Sequence, residues 1–409
     1  MVTLRLSYGW IEEMRRSEVA HQTAMRRVGI FFDEPGWAFH NIALNLARVA
    51  PAGTHFVPIC RNAWFGRTEA AEEIVRQSDV VVFLWRFDLL AFLDTLSPRG
   101  WMQVLAADRP AFATVIYDHL YMSADDLETY GDPFVMSDAV AACSKRLQTA
   151  YAEAPHLPVP THLLPDGVDT ATFAPAAARR PGPVRIGWVG NSAWGATVGG
   201  DFKGRHTVLE PALERLRQQG LSIELHLADK AERRRPPEEM PDFYRDIDIL
   251  VCASAIEGTP NPVLEAMATG TAVVSTDVGI VANVMGPEQR ACVLRERSAE
   301  AMAEAVAALI RDPERLTTLK RENLAQRGQI AWETRWPIWD RFLDAALEKP
   351  HGAEVTSRLA AFRQRRRAPM ERLRRTVAAN RAAFLAYSAA TRYCPGAIRH
   401  AKRLIQWRS

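Results

Sequence analysis

Two carboxylates, Glu257 and Glu265, flank a bend rich in glycine and proline within the stretch EGTPNPVLEAMATG, residues 257–270. Glu265 follows Glu257 by eight residues, so one can lie on a loop while the other lies one turn into a helix. The first turn of that helix would contain Asn261, Pro262, Val263 and Leu264. A helix start presents unpaired N–H groups to an anion. This pattern predicts a ligand site, with a phosphate at the helix start and paired hydroxyls, as in a ribose, at Glu265. A helix with an ordinary capping acid is the equal alternative.

The composition indicates a folded protein with more than one domain. A chain of 409 residues exceeds the usual size of a single hydrophobic core, so two domains are expected. Hydrophobic residues make up 48% and charged residues 24%, which excludes a disordered chain. A net charge of +3 is too small to indicate a nucleic-acid partner. We therefore expect a globular protein that binds no nucleic acid.

The cysteines and the apolar runs of the sequence indicate the cellular compartment of the protein. The five cysteines are widely spaced and contain no CxxC pair, so neither a disulfide framework nor a zinc site is indicated. No run reaches the roughly 18 apolar residues of a membrane span, and the N-terminus lacks the apolar core of a signal peptide. No metal or cofactor site is predicted, and a cytoplasmic location is expected.

Alternating apolar runs and helical patterns indicate two doubly wound domains in series. Strands such as VGIFF and VRIGWVG are each followed by helical sequence, which favours parallel sheets with right-handed crossovers. Four units are predicted: residues 1–172 and 173–335 as Rossmann-like domains, 336–353 as part of an aromatic-rich helix, and 354–409 as a basic helical extension. In such folds, ligands bind beyond the carboxyl ends of the strands.

The stretch EGTPNPVLEAMATGTAVVSTDVG resembles the signature of GT-B-fold nucleotide-sugar glycosyltransferases, in particular the retaining, family 4-like group (glycosyl transferases group 1). LPDGVDTATFAP, residues 164–175, resembles that family's segment between the domains, with Asp166 where asparagine is usual. DFKG, residues 201–204, and QIAWETRWPIWDRFL are further matches. The resemblance covers roughly residues 27–347 and implies an acceptor-binding first domain and a donor-binding second domain that face a cleft. It also implies that the helix at 336–353 crosses back to the first domain.

The resemblance also implies roles for individual residues. Glu265 would hold the ribose, Lys203 the diphosphate, and Glu257 the transferred sugar, while the 261–264 amides would hold the distal phosphate. A lysine and a helix start stabilise the leaving phosphate, and a carboxylate stabilises the cationic sugar. The family uses these groups in place of a divalent metal, so a nucleotide-sugar substrate and no metal are expected.

The donor side departs from the family pattern after Gly190. Asn191 occupies the position of the family's arginine, so a second cation for the diphosphate must come from elsewhere. Arg205, next in sequence to the Lys-Gly pair, is the candidate substitute. An exposed residue at a helix start is the alternative for Arg205.

The acceptor side departs as well. Gly36 remains from the family's glycine pair, but Trp37 replaces the second glycine and should reshape the acceptor side. In VIYDHL, Asp118 matches the aspartate of a family His-Asp pair, and His119 stands one place late. His119 and His40 are candidates for orienting the sugar or the acceptor hydroxyl, and a structural role is the alternative for both.

The extension from about Glu354 contains roughly fourteen Arg and Lys against two carboxylates. Apolar residues at helical spacing in MERLRRTVAANRAAFLAY favour an amphipathic helix that lies on an anionic membrane surface. A helix that packs on the protein is the equal alternative. Membrane binding would make the enzyme peripheral on the inner face of the membrane and bring it to a lipid-linked acceptor.

The sequence thus predicts a retaining, metal-independent glycosyltransferase that moves a sugar from a nucleotide diphosphate to a glycan or lipid-linked acceptor in bacterial cell-envelope synthesis. A catalytically inactive GT-B protein that binds a nucleotide or glycan as a partner or scaffold is the first alternative. A dinucleotide enzyme is weaker, because no GxGxxG follows the first strand of either domain.

Overall fold

The computed structural model describes residues 25–118, 120, 123–175, 182–194, 200–233 and 235–379. His119 and the tail beyond Ala379 lie outside these residues, as do residues 176–181 near the start of the predicted second domain. No helix among the described residues combines the length and the apolar character that crossing a bilayer requires.

The first sheet has six parallel strands in the order β2-β1-β3-β4-β5-β6. They are β1 (Arg26–Phe32), β2 (Thr54–Cys60), β3 (Val80–Phe83), β4 (Ala111–Ile116), β5 (Ala139–Ala142) and β6 (His162–Leu163). Every residue of β3 and β4 is buried, as expected of central strands covered by helices on both faces. Two apolar clusters, one on each face of the sheet, make up the core.

The second sheet has five parallel strands in the order β11-β10-β9-β7-β8. They are β7 (Val184–Gly190), β8 (Ile223–Asp229), β9 (Ile249–Cys252), β10 (Ala272–Thr276) and β11 (Val293–Leu294). Two further apolar clusters cover its faces. The two parallel sheets confirm the predicted α/β architecture.

Helices connect the strands on both faces. In the first half they are Ala38–Val49, Arg61–Trp64, Thr68–Gln77, Phe87–Thr95, Pro98–Val104, Ala124–Tyr130 and Lys145–Ala152. In the second half they are Glu210–Gln218, Met240–Arg245, Asn261–Thr269, Val281–Val284, Pro287–Arg290, Ala299–Arg311 and Pro313–Gln326, with a π-helical turn at Arg205–Leu209. The last two are Trp332–Glu348 and Gly352–Ala379.

The helix Trp332–Glu348 joins the core of the first sheet although it follows the second sheet in sequence. Trp339, Phe342 and Leu343 are completely buried in a cluster formed mostly by residues of the first domain. Arg26 at the start of β1 forms ion pairs with two acids of this helix, Asp340 and Asp344. After the second sheet, the chain therefore returns to the first domain, and this helix packs there.

The helix Gly352–Ala379 begins by packing on the first domain. Val355, Leu359 and Phe362 are buried in the cluster on one face of the first sheet. Arg366 lies 3.3 Å from Asp94 of that domain. The first turns of the basic extension therefore bury their apolar side against the protein.

Candidate donor pocket and its surroundings

A pocket of about 380 Å³ lies between the two domains. Its walls come from the carboxyl ends of strands in both sheets, where parallel α/β folds place their ligands. Among the residues that line it are Gly36, Trp37, Asn41, Gly190, Lys230, Arg235, Asn261, Pro262, Leu264 and Glu265. The volume falls within the range of small-molecule sites.

Glu265 lies in the pocket wall on the second turn of the helix Asn261–Thr269. The helix ends at Gly270, whose φ of 82° is the left-handed conformation typical of a helix end. The hydroxyl of Tyr244 donates a 2.6 Å hydrogen bond to Oε2 of Glu265. Burial raises the pKa of Glu265 to about 7, and the Tyr244 hydrogen bond acts against that rise. Its carboxylate can accept from hydroxyls of a ligand in the pocket.

The start of this helix offers fewer N–H donors than the sequence pattern predicted. Pro262 has no N–H, and the N–H of Val263 donates to the carbonyl of Pro260 over 2.8 Å. Val263 is also completely buried, whereas Asn261 and Leu264 line the pocket. Proline at the second helical position therefore leaves fewer backbone N–H groups for a phosphate than predicted. A phosphate bound here would also need a side-chain cation.

Lys203 and Glu257 contact each other. The ammonium of Lys203 forms an ion pair with Oε1 of Glu257, which also accepts a 2.7 Å hydrogen bond from the hydroxyl of Ser254. The Lys203 ammonium lies 5.2 Å from the centroid of the Trp194 ring. Neither Lys203 nor Glu257 lines the pocket that contains Glu265. The two therefore form a charged cluster with Ser254 outside the pocket lining.

The loop that carries Glu257 is pressed against the end of β4. A Cβ added at Gly258 would lie 2.3 Å from the carbonyl oxygen of Tyr117, so only glycine fits there. Asp118 follows directly, and its Oδ1 accepts from the guanidinium of Arg86 at 3.1 Å and from the N–H of Leu120 at 2.9 Å. The structure thus brings Glu257 and Asp118 to the same junction between the domains.

Arg205 does not point its charge at the pocket. Its guanidinium is within salt-bridge distance of three carboxylates, those of Asp229, Glu232 and Glu210. Asn191 is engaged locally, because its Oδ1 accepts from the N–H of Ala193 at 3.1 Å. The positive charge of Arg205 is therefore balanced by neighbouring acids.

On the acceptor side, His40 holds a turn. The N–H of Gly36, at a φ of 72°, donates to Nδ1 of His40 over 2.8 Å. The imidazole lies 4.5 Å from the ring of Phe32, and burial lowers the pKa of His40. These contacts fit the structural alternative for His40, and its role in orienting the sugar or the acceptor hydroxyl stays a prediction. Trp37, in contrast, is 37% exposed and lines the pocket.

Lys230 is a pocket residue that the sequence analysis missed. It comes directly after the last residue of β8, and its ammonium lies 3.0 Å from the centroid of the Trp37 ring. The contact joins the second domain to the first across the pocket. Its position at a strand's carboxyl end was the signal that could have found it.

Asp166, which replaces the family's usual asparagine, is completely buried between the domains. The hydroxyl of Tyr117 donates to its Oδ1 at 2.9 Å. Burial raises the pKa of Asp166 to about 6, opposed by hydrogen bonds and by the charge of Arg335. A buried carboxyl with a raised pKa favours folding below its unfolded pKa, and that contribution is lost as the pH rises through about 6.

Asp166→Asn is therefore expected to raise the melting temperature at pH 8 and to have little effect at pH 4. The raised pKa corresponds to at most about 3 kcal/mol, less what Arg335 loses with its counter-charge. Melting curves of the wild type and the variant at both pH values measure this. Asp125→Asn, at an exposed position, is the control. An equal loss of stability at both pH values would contradict the expectation.

Comparison with known proteins is consistent with this geometry. Residues 196–312 match the family model "Glycosyl transferases group 1". A segment covering 47% of the chain is 30% identical to the lipopolysaccharide core biosynthesis mannosyltransferase LpsB of Rhizobium meliloti, and one covering 43% is 28% identical to LpcC, of the same description, from Rhizobium leguminosarum. These matches span 61% and 55% of the two relatives.

Solved structures show the fold. Sucrose-phosphate synthase from Thermosynechococcus elongatus matches with a TM-score of 0.56 at 16% identity, over 77% of this chain and 98% of its own. Anabaena Alr3699/HepE in complex with UDP-glucose matches with a TM-score of 0.55 at 13% identity, over the same shares of the two chains. The protein therefore has the GT-B fold. Residues 196–312 match the model of the group 1 glycosyltransferases, and this match confirms the family resemblance of the sequence.

Proposed function

We propose that this protein is a retaining, metal-independent glycosyltransferase that moves a sugar from a nucleoside-diphosphate donor to a cell-envelope glycan or lipid-linked acceptor. The observation that carries the proposal is the pocket between the domains, where Glu265 and Asn261 line one wall and Gly36 and Trp37 the other. LpsB and LpcC, which act in lipopolysaccharide core synthesis according to their names, support the class of acceptor.

In the reaction we propose, the acceptor hydroxyl attacks the sugar on the face from which the phosphate leaves, and the departing phosphate takes the proton. Negative charge grows on the phosphate, and Lys203 would stabilise it when the phosphate displaces Glu257 from its ammonium. Glu257 would stabilise the cationic sugar. A retaining glycosidase needs a carboxylate nucleophile about 5 Å from a second carboxyl, and this route needs neither.

Thermal shift with UDP, GDP, ADP and their sugars, without added metal, tests donor binding. One nucleotide at about 100 times its dissociation constant should add about 2.7 kcal/mol to the stability of the wild type. Lys203→Ala should reduce that shift, measured from the variant's own baseline because the substitution also removes the ion pair with Glu257. Lys145→Ala, at an exposed position outside the pocket, is the control.

The inactive-scaffold alternative has one observation in its favour: Lys203 and Glu257 neutralise each other in this structure. A protein that only binds nucleotide would show the thermal shift but form no product with any donor. No shift with any nucleotide would contradict the donor-dependent proposal and favour a scaffold with a glycan or protein partner.

We also propose that the end of the basic extension binds anionic membranes. Removing residues 380–409, which contain several Arg and Lys and no Asp or Glu, should abolish co-sedimentation with phosphatidylglycerol liposomes. The melting temperature should stay unchanged, because the buried contacts of Val355, Leu359 and Phe362 remain. A chain cut before Glu354 should melt at a lower temperature. If the protein without residues 380–409 still co-sedimented as fully as the wild type, membrane binding through this segment would be refuted.

A further inference from the structure

Two separate loops of the second domain carry the charged pair on which the proposed chemistry depends. Lys203 lies on the segment that follows β7, and Glu257 lies on the loop that follows β9. Their side chains form an ion pair, so the two loops meet at this point. A lysine ammonium sits on a flexible four-carbon side chain, and its position is therefore only as well defined as the backbone that carries it.

The backbones of the two loops are in direct contact. The N–H of Ala255 donates to the carbonyl of Phe202 over 2.8 Å. A Cβ added at Gly204 would clash with the carbonyl oxygen of Ala253, so only glycine allows this close approach. The segment around Lys203 therefore packs on the end of β9, ahead of the loop with Glu257.

Arg297 joins the same two segments from a third part of the domain, the loop between β11 and the helix Ala299–Arg311. Its Nε donates to the carbonyl of Ala253 over 2.9 Å, and its Nη2 donates to the carbonyl of Asp201 over 2.7 Å. Nη2 also donates to the hydroxyl oxygen of Thr207 at 3.4 Å. Because Ala253 is completely buried, the first of these bonds anchors the guanidinium to the core of the domain.

We propose that Arg297 is a positioning residue for sugar transfer, which holds the segment that carries Lys203 in a fixed place relative to the loop that carries Glu257. The assignment rests on the proposed function, in which Lys203 binds the donor diphosphate. Arg297 acts through backbone carbonyls and not by contact with the donor. A planar guanidinium suits this task, because its rigid fork can hold two carbonyls at once through charge-assisted hydrogen bonds.

The carboxylate of Asp201 shows how a hold on its carbonyl reaches Lys203. It accepts from three backbone N–H groups at 2.8–2.9 Å, those of Gly204, His206 and Thr207. These bonds make the turn that contains Lys203 a unit, and Arg297 fixes that unit to the end of β9. Without the guanidinium the turn would keep its internal hydrogen bonds and could shift as a whole. We therefore expect a loss of Arg297 to displace Lys203 without unfolding the domain.

Isothermal titration calorimetry with UDP, GDP and ADP on the full-length protein tests the assignment, with Arg297→Met made both in the wild type and in Lys203→Ala. For the nucleoside diphosphate that binds, Arg297→Met should weaken affinity about 5–20-fold when Lys203 is present and less than about 2-fold in Lys203→Ala. Arg297→Lys should weaken it less than Arg297→Met does, because an ammonium can still donate to one of the two carbonyls. Arg295→Met, which removes an exposed arginine from the same loop, is the control.

The outcomes separate this inference from the proposed function. Binding that depends on Lys203 but is unchanged by Arg297→Met overturns the role of Arg297 and leaves the proposed function standing. An equal loss with and without Lys203 also overturns it, because such a loss indicates a general structural effect. A wild type that binds no nucleoside diphosphate, or a Lys203→Ala variant that binds as tightly as the wild type, overturns the proposed role of Lys203 and this assignment with it. Circular dichroism and melting curves show whether each variant is folded.

Discussion

Replacing Glu257 with glutamine is expected to lower the rate of sugar transfer by about 10²–10³-fold while nucleotide affinity changes little. Glutamine keeps the size of the side chain and can still accept from the hydroxyl of Ser254, which now lies 2.7 Å from Oε1. What it removes is the negative charge that we propose to stabilise the cationic sugar. We therefore expect the substitution to lower kcat alone, because the carboxylate stabilises the positive charge that develops on the sugar in the transition state.

The measurement is steady-state transfer with the donor and acceptor established for the wild type, together with calorimetry of nucleotide binding. Glu304→Gln, an exposed glutamate on the helix Ala299–Arg311, is the matched control. A product with the donor's anomeric configuration fits the proposed route. A sugar covalently trapped on Glu257 would contradict it, and so would an unchanged kcat in the variant.

The loss of charge has a second consequence at Lys203. In the wild type its ammonium is neutralised by Glu257, so the phosphate and the carboxylate compete for it. In Glu257→Gln the ammonium lacks this partner and is more available to a phosphate. Nucleotide affinity is therefore expected to be equal to or slightly above that of the wild type, and a large loss would indicate a structural role for Glu257.

Much of the fold could be predicted from sequence because strands in parallel sheets are short apolar runs between helical patterns. The strand β2 is one that the local sequence does not indicate. It contains Pro58, which is unusual within a sheet, and the structure shows why it is tolerated: β2 is an edge strand, paired on one side only with β1. Edge position depends on the sheet order, which local sequence does not contain.

Some features of the candidate site could likewise be predicted from local sequence, and others could not. The placement of Glu265 within a helix that begins at Asn261 followed from proline, glycine and apolar spacing, all of them local signals. The pairing of Arg205 with three acids and the contact between Lys230 and Trp37 join distant parts of the chain. Such contacts depend on packing between domains. Pro262 is an exception, because its missing N–H was visible in the sequence.

Replacing Glu265 with glutamine is expected to weaken nucleoside-diphosphate binding about 10–100-fold, because a carboxylate that accepts from two ribose hydroxyls is replaced by an amide that also donates. The loss should be specific to the ribose. A 2′-deoxynucleotide should bind the wild type more weakly than its parent nucleotide does, and the difference should disappear in Glu265→Gln. Calorimetry with the two ligands and the two proteins gives the coupling directly.

The pH dependence of the same binding provides a second test of Glu265. Burial raises its pKa to about 7, and the carboxyl accepts fully from two hydroxyls only when ionised. Affinity of the wild type should therefore rise between about pH 6 and pH 8, whereas Glu265→Gln should lack this contribution. Tyr244→Phe removes the 2.6 Å hydrogen bond that favours the ionised form, so the rise should move to higher pH.

The stability of the protein should show the opposite trend. Because the folded-state pKa of Glu265 lies above the usual 4.5, its contribution to folding is fully present below about pH 4.5 and is lost as the pH rises through about 7. Glu265→Gln should therefore melt at a higher temperature than the wild type at pH 8, by an amount that reflects up to about 3 kcal/mol. If Glu265 is a buried carboxylate whose role is ligand binding, Glu265→Gln should bind nucleotide less tightly and be more stable than the wild type at pH 8. If both affinity and stability fell together at pH 8, Glu265 would be a structural residue of its helix.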